Sequence, residues 1–116
     1  MINRFSCAAL LLLGLTGCAS DPAPTEQLRL TEQALAQAKA VGADEQVAEL
    51  AMAEDKLLRA QSAMQRDAFK AARVLAEQAE LDARLAEARV LTQKSQDQLN
   101  ELNNRINRLR KQLGAL

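Results

Sequence analysis

The chain has 116 residues, in which 15 basic residues balance 15 acidic ones, and it lacks His, Trp and Tyr. A near-neutral chain with only two aromatic residues is poorly suited to binding nucleic acid, so we expect no nucleic-acid partner. Alanine, leucine, glutamine, glutamate and arginine are abundant, which is typical of long helices and coiled coils. The composition therefore predicts an all-α fold.

Residues 1–17 have the pattern of a signal peptide. Arg4 precedes an uncharged, largely apolar run from Phe5 to Leu15, which is too short to span a bilayer because a spanning helix needs about 20 residues. The run ends in Leu15-Thr16-Gly17-Cys18, which resembles the lipobox of bacterial lipoproteins. The resemblance implies that the signal peptidase recognises Leu15, Thr16 and Gly17, that the chain is cut before Cys18, and that Cys18 carries a covalent lipid.

The cysteines and the residues after the lipobox indicate where the protein resides. Cys7 would be removed with the signal peptide, so the processed chain would hold no free thiol beyond the acylated Cys18. The lipid would bind the membrane, and we expect no other cofactor and no metal. Ala19 and Ser20 follow Cys18, whereas an aspartate after the cysteine often means inner-membrane retention. The resemblance thus implies the periplasmic face of the outer membrane, with the inner membrane as the alternative.

The processed chain divides into a short tether and a helical domain. Residues 18–24 contain the lipidated cysteine and two prolines, and residues 25–116 form the alanine-rich domain. We expect Thr25 to cap a first helix that ends near Val41, followed by Gly42 as a C′ residue. Asp44 is expected to cap a second helix, which forms a helical hairpin with the first and carries an apolar stripe: Leu50, Ala53, Leu57, Ala60 and Met64.

A long third helix is predicted from Ala68 onward. Asp67 is interpreted as the N-cap of this helix after a tight turn, although an unbroken helix is the alternative. One seam of small residues recurs at spacings of three and four: Phe69, Ala72, Ala76, Ala79, Ala83, Ala86 and Val90. A second seam of Leu81, Leu85, Ala88 and Leu91 lies beside it. Together they predict a wide apolar face packed against two other helices.

The end of the third helix has a different pattern. A polar stretch is followed by a narrow heptad stripe, flanked by asparagine and basic residues, which comprises Leu99, Leu102, Ile106, Leu109 and Leu113. One interpretation is a coiled-coil-like C-terminal tip that binds a partner or another copy of the chain. The other is a solvated helix end whose basic residues complement the helix dipole.

The domain lacks the residues that most enzymes need. It has no histidine base, no thiol nucleophile beyond the acylated cysteine, and no glycine-rich phosphate loop. We therefore expect that the protein is not an enzyme.

Residues 72–88 resemble an uncharacterised family of alanine-rich periplasmic helical lipoproteins, known only as a domain of unknown function. The matching residues are Ala72, Leu75 to Glu77, Ala79, Asp82, Ala83 and Leu85 to Ala88, within a resemblance that covers roughly residues 28–95. The resemblance implies a helical hairpin followed by a longer helix. Some family members also carry an OmpA-like domain that binds peptidoglycan, which this sequence does not show.

These features favour an outer-membrane-anchored lipoprotein with a structural or adaptor role in the cell envelope, in contact with an envelope protein or with itself. The alternative is a binding module whose C-terminal helix grips peptidoglycan or an envelope protein complex.

Overall fold

Three helices form the fold of residues 21–114, the part of the chain that a computed structural model describes. They are α1 (Thr25–Ala40), α2 (Ala48–Gln65) and α3 (Phe69–Gly114), and this part contains no strand. The all-α prediction, with a long third helix, is confirmed.

Polar contacts along α3 define the direction of the other two helices. Thr31 donates its hydroxyl to the carbonyl oxygen of Ala76 at 2.9 Å, and Lys94 Nζ donates to the carbonyl oxygen of Val41 at 2.7 Å, so α1 runs parallel to α3. On α2, the earlier residue Glu49 pairs with the later α3 residue Arg89 at 3.0 Å, and the later residue Lys56 pairs with the earlier Asp82 at 2.5 Å. Helix α2 therefore runs antiparallel to α3. Both helices pack mainly on the first half of α3 and contact each other less.

Gly42 terminates α1 as the sequence predicts. Its φ of +101° is in the left-handed region, and its N–H donates to the carbonyl oxygen of Lys39 at 2.9 Å. The N–H of Ala43 reaches the carbonyl oxygen of Ala38 at 3.0 Å, which completes a Schellman motif. The helix ends at Ala40, one residue before the predicted end.

Asp67 forms the predicted tight turn, but its predicted role is wrong. Its φ is +57° and its N–H donates to the carbonyl oxygen of Met64 at 3.1 Å, while the N–H of Ala68 donates to that of Ala63 at 3.0 Å. Asp67 is therefore the C′ residue of a second Schellman motif that ends α2, and α3 begins at Phe69. An aspartate tolerates this conformation better than most residues, and its preference for helix starts concealed that use.

The other two predicted caps are also wrong. Thr25 is the first residue of α1, and Pro24 occupies the N-cap position without a side-chain hydrogen bond. The carboxylate of Asp44 accepts from the N–H of Gln46 at 2.9 Å, which is an Asx turn, and α2 begins later, at Ala48. Aspartate and threonine bond equally well to a local turn and to a helix start, so sequence alone did not separate the two.

The core is built almost entirely of alanine. Among residues 21–114, proline aside, eleven of the thirteen buried apolar residues are alanines, and the exceptions are Leu35 and Leu50. The predicted seam on α3 is confirmed, because Ala72, Ala76, Ala79, Ala83 and Ala86 are all fully buried. Methyl side chains allow the helix axes to approach closely, so dispersion contacts between backbones supply much of the packing energy.

The second predicted seam does not belong to the core. Leu81 is 66% exposed and Leu85 is 52% exposed, and Ala88 and Leu91 are also exposed. Helix α3 does contact two other helices, as predicted, but it does so through the narrow alanine seam alone. At about 100° per residue, Leu81 and Leu85 lie nearly opposite the alanine seam, so the helices that pack on that seam leave them exposed.

Candidate interaction surface

The predicted processing and lipidation residues Leu15, Thr16, Gly17 and Cys18 lie outside the described residues. The described chain starts at Asp21, close to the first turns of α3. Arg73 Nη2 donates to the carbonyl oxygen of Pro22 at 3.1 Å, and Pro24 is buried. The tether therefore joins the bundle at the end where α3 begins.

An apolar cleft opens at this same end of the bundle. Its volume is about 860 Å³, and its walls include Phe69, Val74 and Leu75. Asp21 and Lys70 lie at the cleft, which places its apolar walls directly beside the start of the tether.

The bundle ends near Lys94, whose ammonium group bonds to the carbonyl oxygen of Val41 at the end of α1. Beyond it α3 continues to Gly114 with every residue exposed. We call residues 95–114 the α3 extension. At a rise of 1.5 Å per residue it projects about 30 Å past the bundle.

The predicted interface residues lie on one line along the extension. Within the described chain they have no packing partner, and their exposed fractions run from 38% for Ile106 to 71% for Leu113, with Leu99, Leu102 and Leu109 between. The structure therefore groups these residues on one face and leaves that face open.

The same line continues backward along the bundle. A single heptad register with alternating steps of three and four connects the extension to Leu81, Leu85 and Ala88 of the second seam. We call the whole set the outer stripe: Leu81, Leu85, Ala88, Thr92, Ser95, Leu99, Leu102, Ile106, Leu109 and Leu113. At about 100° per residue, the stripe lies roughly 150° around the helix from the alanine seam. Helix α3 thus uses one face inside its own bundle and leaves a nearly opposite face exposed.

Leu81 and Leu85 are the interface residues that the sequence interpretation missed. Their spacing to Ala88 fits either a wide core face or a continuation of the terminal heptads, and the neighbouring alanine seam favoured the core. The register itself was the signal that could have found them, because no step is irregular between Leu81 and Leu113.

Charge is unevenly distributed along the molecule. The extension has four basic and two acidic residues, a net charge of +2, whereas residues 21–94 have ten basic and thirteen acidic residues, a net charge of −3. The basic side chains are concentrated in residues 105–114, where Arg105 pairs with Glu101 one turn earlier. The exposed apolar stripe is therefore flanked by positive charge at one end of the molecule and set in a more acidic surface at the other.

One polar contact between α1 and α3 involves a carboxyl group whose pKa is lowered. Hydrogen bonds from Arg84 and from Gln27, the latter at 2.7 Å, lower the pKa of Glu80. Gln27 is on α1, so this hydrogen bond links α1 to α3, and it is strongest while Glu80 is ionised.

No helix within residues 21–114 is long and apolar enough to cross a membrane. The same residues contain no group of three or more Cys, Asp or Glu side chains placed to hold a metal ion.

Comparison with known proteins identifies a family and a fold. The DUF4398 family, described as a domain of unknown function, matches residues 26–102. The crystal structure of a DUF4398 family protein from Pseudomonas aeruginosa PAO1 is similar, with 69% sequence identity, a TM-score of 0.78, and coverage of 80% of this chain and 97% of that chain. No curated protein matches the chain. The resemblance to a family of unknown function, drawn from residues 72–88, is confirmed.

Proposed function

The chain belongs to the DUF4398 family, a domain of unknown function, and we propose that it is a lipoprotein anchored by Cys18 to the periplasmic face of the outer membrane. Its role there is structural: it acts as an adaptor that keeps the outer stripe of α3 exposed, where another protein surface can bind it. The observation that carries this proposal is the polarity of the bundle, with the tether at one end and the free extension at the other.

The parallel course of α1 and α3 supports the adaptor geometry. The tether contacts Arg73, and Leu113 lies 40 residues farther along the same continuous helix. This separation is about 60 Å at the helical rise. An anchor at Cys18 would therefore let the basic end of the extension reach about 60 Å from the anchored end, along the length of the bundle and its projection.

The apolar cleft supports the orientation toward the membrane. Phe69, Val74 and Leu75 line it beside the tether, at the end that a lipid on Cys18 would hold closest to the bilayer. Each buried CH₂ of an acyl chain contributes about 0.8 kcal/mol, so several acyl chains anchor a small protein stably without a membrane-spanning helix.

A structural role also agrees with the chemistry of the chain. Residues 19–116 contain no His and no Cys, and the exposed ion pairs on the helices, such as Asp55 with Arg59, are ordinary surface contacts. We propose accordingly that the protein has no catalytic activity and needs no cofactor beyond the lipid.

The basic extension favours a second function, in which the C-terminal helix binds peptidoglycan or an envelope protein complex directly. Arg105, Arg108, Arg110 and Lys111 lie within two turns of one another and would attract the carboxylates of peptidoglycan stem peptides. Such binding would be sensitive to salt, whereas a contact made by the leucines of the outer stripe would persist.

The anchor is tested with a matched pair of cysteine variants. Cys18→Ser should abolish acyl labelling and release the protein from the outer-membrane fraction, because the lipid acceptor is lost. Cys7→Ser should retain both properties, since Cys7 lies in the segment to be removed. Metabolic labelling with a fatty acid analogue, followed by membrane fractionation, measures both. Label retained on Cys18→Ser, or lost from Cys7→Ser alone, would contradict the assignment of Cys18.

The adaptor role is tested by crosslinking in cells. A photoreactive amino acid at Leu102 should capture a defined partner through the outer stripe, and one at Leu58 should not. Leu58 is a suitable control because it is 67% exposed but lies on α2, away from the stripe. Equal capture from both positions would indicate non-specific contact and would count against the proposed interface.

A further inference from the structure

We propose that the outer stripe is the interface of an antiparallel coiled coil between two copies of this chain, extending from residue 81 to residue 113. The inference rests on the proposed role of the stripe as an interface, and it names the partner as a second copy. It does not depend on the lipid anchor: the two tethers lie at opposite ends of the pair, so two copies anchored to one membrane would form it with α3 lying along that membrane.

The length of the stripe is sufficient for a stable coiled coil. The five residues of the extension alone cover about two heptads, which is short for a dimer. The exposure of Leu81 and Leu85 on the bundle extends the register to nearly five heptads, or about 50 Å. Because α1 and α2 cover the nearly opposite face of α3, they leave the whole stripe accessible.

The side-chain sizes along the stripe select the antiparallel arrangement. A two-fold axis at residue 97 would place each small residue of one copy opposite a large residue of the other. The five layers then pair Leu81 with the partner's Leu113, Leu85 with Leu109, Ala88 with Ile106, Thr92 with Leu102, and Ser95 with Leu99. Alternation of large and small residues across facing positions gives well-filled layers.

A parallel arrangement is disfavoured by both packing and charge. In register, Ala88, Thr92 and Ser95 would each face their own copies, which leaves three consecutive layers with little apolar contact. The flanking positions would bring Arg84 beside the partner's Arg89, and Arg105 beside the partner's Arg110. Both contacts join like charges across the interface.

Charge complementarity supports the antiparallel pairing. Residues 105–114, which contain four basic and no acidic residues, would lie along residues 80–89 of the partner, where Glu80, Asp82 and Glu87 outnumber Arg84 and Arg89. Arg110 would lie on the same flank as the partner's Asp82, which also pairs with Lys56 of its own chain. Each basic extension would thus rest on the more acidic body of the other copy, and the pairing occurs twice by symmetry.

Disulfide crosslinking tests the orientation directly. Residues 19–116 contain all three helices and no cysteine, and 80% of this chain matches 97% of the crystallised relative. Leu85→Cys and Leu109→Cys are prepared as separate proteins and oxidised alone and mixed. We expect covalent dimers only in the mixture, because residue 85 faces residue 109 of the partner. Dimers in either protein alone would establish a parallel pairing, and no dimers in the mixture would overturn the proposal.

Sedimentation equilibrium tests the strength of the association. The wild-type form of residues 19–116 should be a dimer, and Leu109→Ser should weaken dimerisation by roughly 100-fold or more, because both symmetry-related Leu85–Leu109 layers are lost. Leu58→Ser removes a comparably exposed leucine outside the stripe and should remain dimeric. Since the extension makes no buried contact within its own chain, Leu109→Ser should keep the helicity and melting temperature of its own bundle.

A monomeric wild-type protein, or equal weakening by the two serine variants, would refute the coiled coil. Neither outcome would bear on acylation at Cys18 or on a heterologous partner captured through Leu102. Conversely, a protein that is not acylated at Cys18 would still form the dimer, so either proposal can be refuted without refuting the other.

Discussion

The packing of the alanine seam of α3 can be tested by replacing a buried alanine with a larger residue and measuring the free energy of unfolding. Ala83 is fully buried and lies in the core cluster with Leu35 and Leu50. Replacing it by leucine adds three carbon atoms where the neighbouring helices leave no space. Leucine is nearly as good a helix former as alanine, so the change in the free energy of unfolding reports packing rather than helix propensity.

The expected loss follows from the closeness of the three helices. Insertion of extra methylene groups into a well-packed core costs about 1–3 kcal/mol. For a domain of this size, each kcal/mol lowers the melting temperature by about 4–8 °C. Ala83→Leu should therefore lower the melting temperature by at least about 4 °C and shift the urea midpoint in the same direction, with both transitions followed by circular dichroism.

Ala71→Leu is the matched control because it makes the same change at an exposed position on the same helix. It should alter the free energy of unfolding by less than about 0.5 kcal/mol. Equal melting temperatures for wild type, Ala71→Leu and Ala83→Leu would refute the packing of α3 against α1 and α2. Loss of stability in Ala71→Leu alone would refute the assignment of the buried face.

The remaining predictions concern the turn and the linking carboxylate. Asp67→Gly should raise the free energy of unfolding by up to about 1 kcal/mol in urea titrations, because glycine adopts the positive φ without a Cβ clash, whereas Asp67→Val should lower it. The pKa of Glu80 is lowered in the folded state, so its contribution is present above the ordinary range of a glutamate and is lost as the pH falls through the lowered pKa. Glu80→Gln should therefore be less stable than wild type at pH 7, and the difference in urea midpoint should shrink toward pH 3; a difference independent of pH would contradict this.

The helices were predictable because their signals are local and repeated. The alanine seam recurs at spacings of three and four over about four turns, and Gly42 occupies the one position where an αL residue ends α1. Both features depend on the residue's own conformational preference and on helical periodicity. Neither depends on which surface a distant part of the chain covers.

The errors arose where one residue type serves two local structures or where two apolar seams were placed on one face of a helix. Asp44 and Asp67 are both predicted to start helices, yet one forms an Asx turn and the other ends a helix in the αL conformation. Leu81 and Leu85 are predicted to lie beside the alanines in the core. At about 100° per residue they lie nearly opposite the alanine seam, so helices packed on that seam leave them exposed.

Helix α3 is packed in the bundle over its first half and exposed over the extension, so the length of the extension can change independently of the bundle. Residues 69–94 are held by two neighbouring helices and provide a ready nucleus from which residues 95–114 continue without paying the cost of helix initiation. Seven residues added to or removed from the extension would change its length by about 10 Å and rotate its face by only about 20°. The bundle would be unaffected, because no core residue lies there. The length of the extension can thus change in steps of one heptad while the chain folds around the same alanine core.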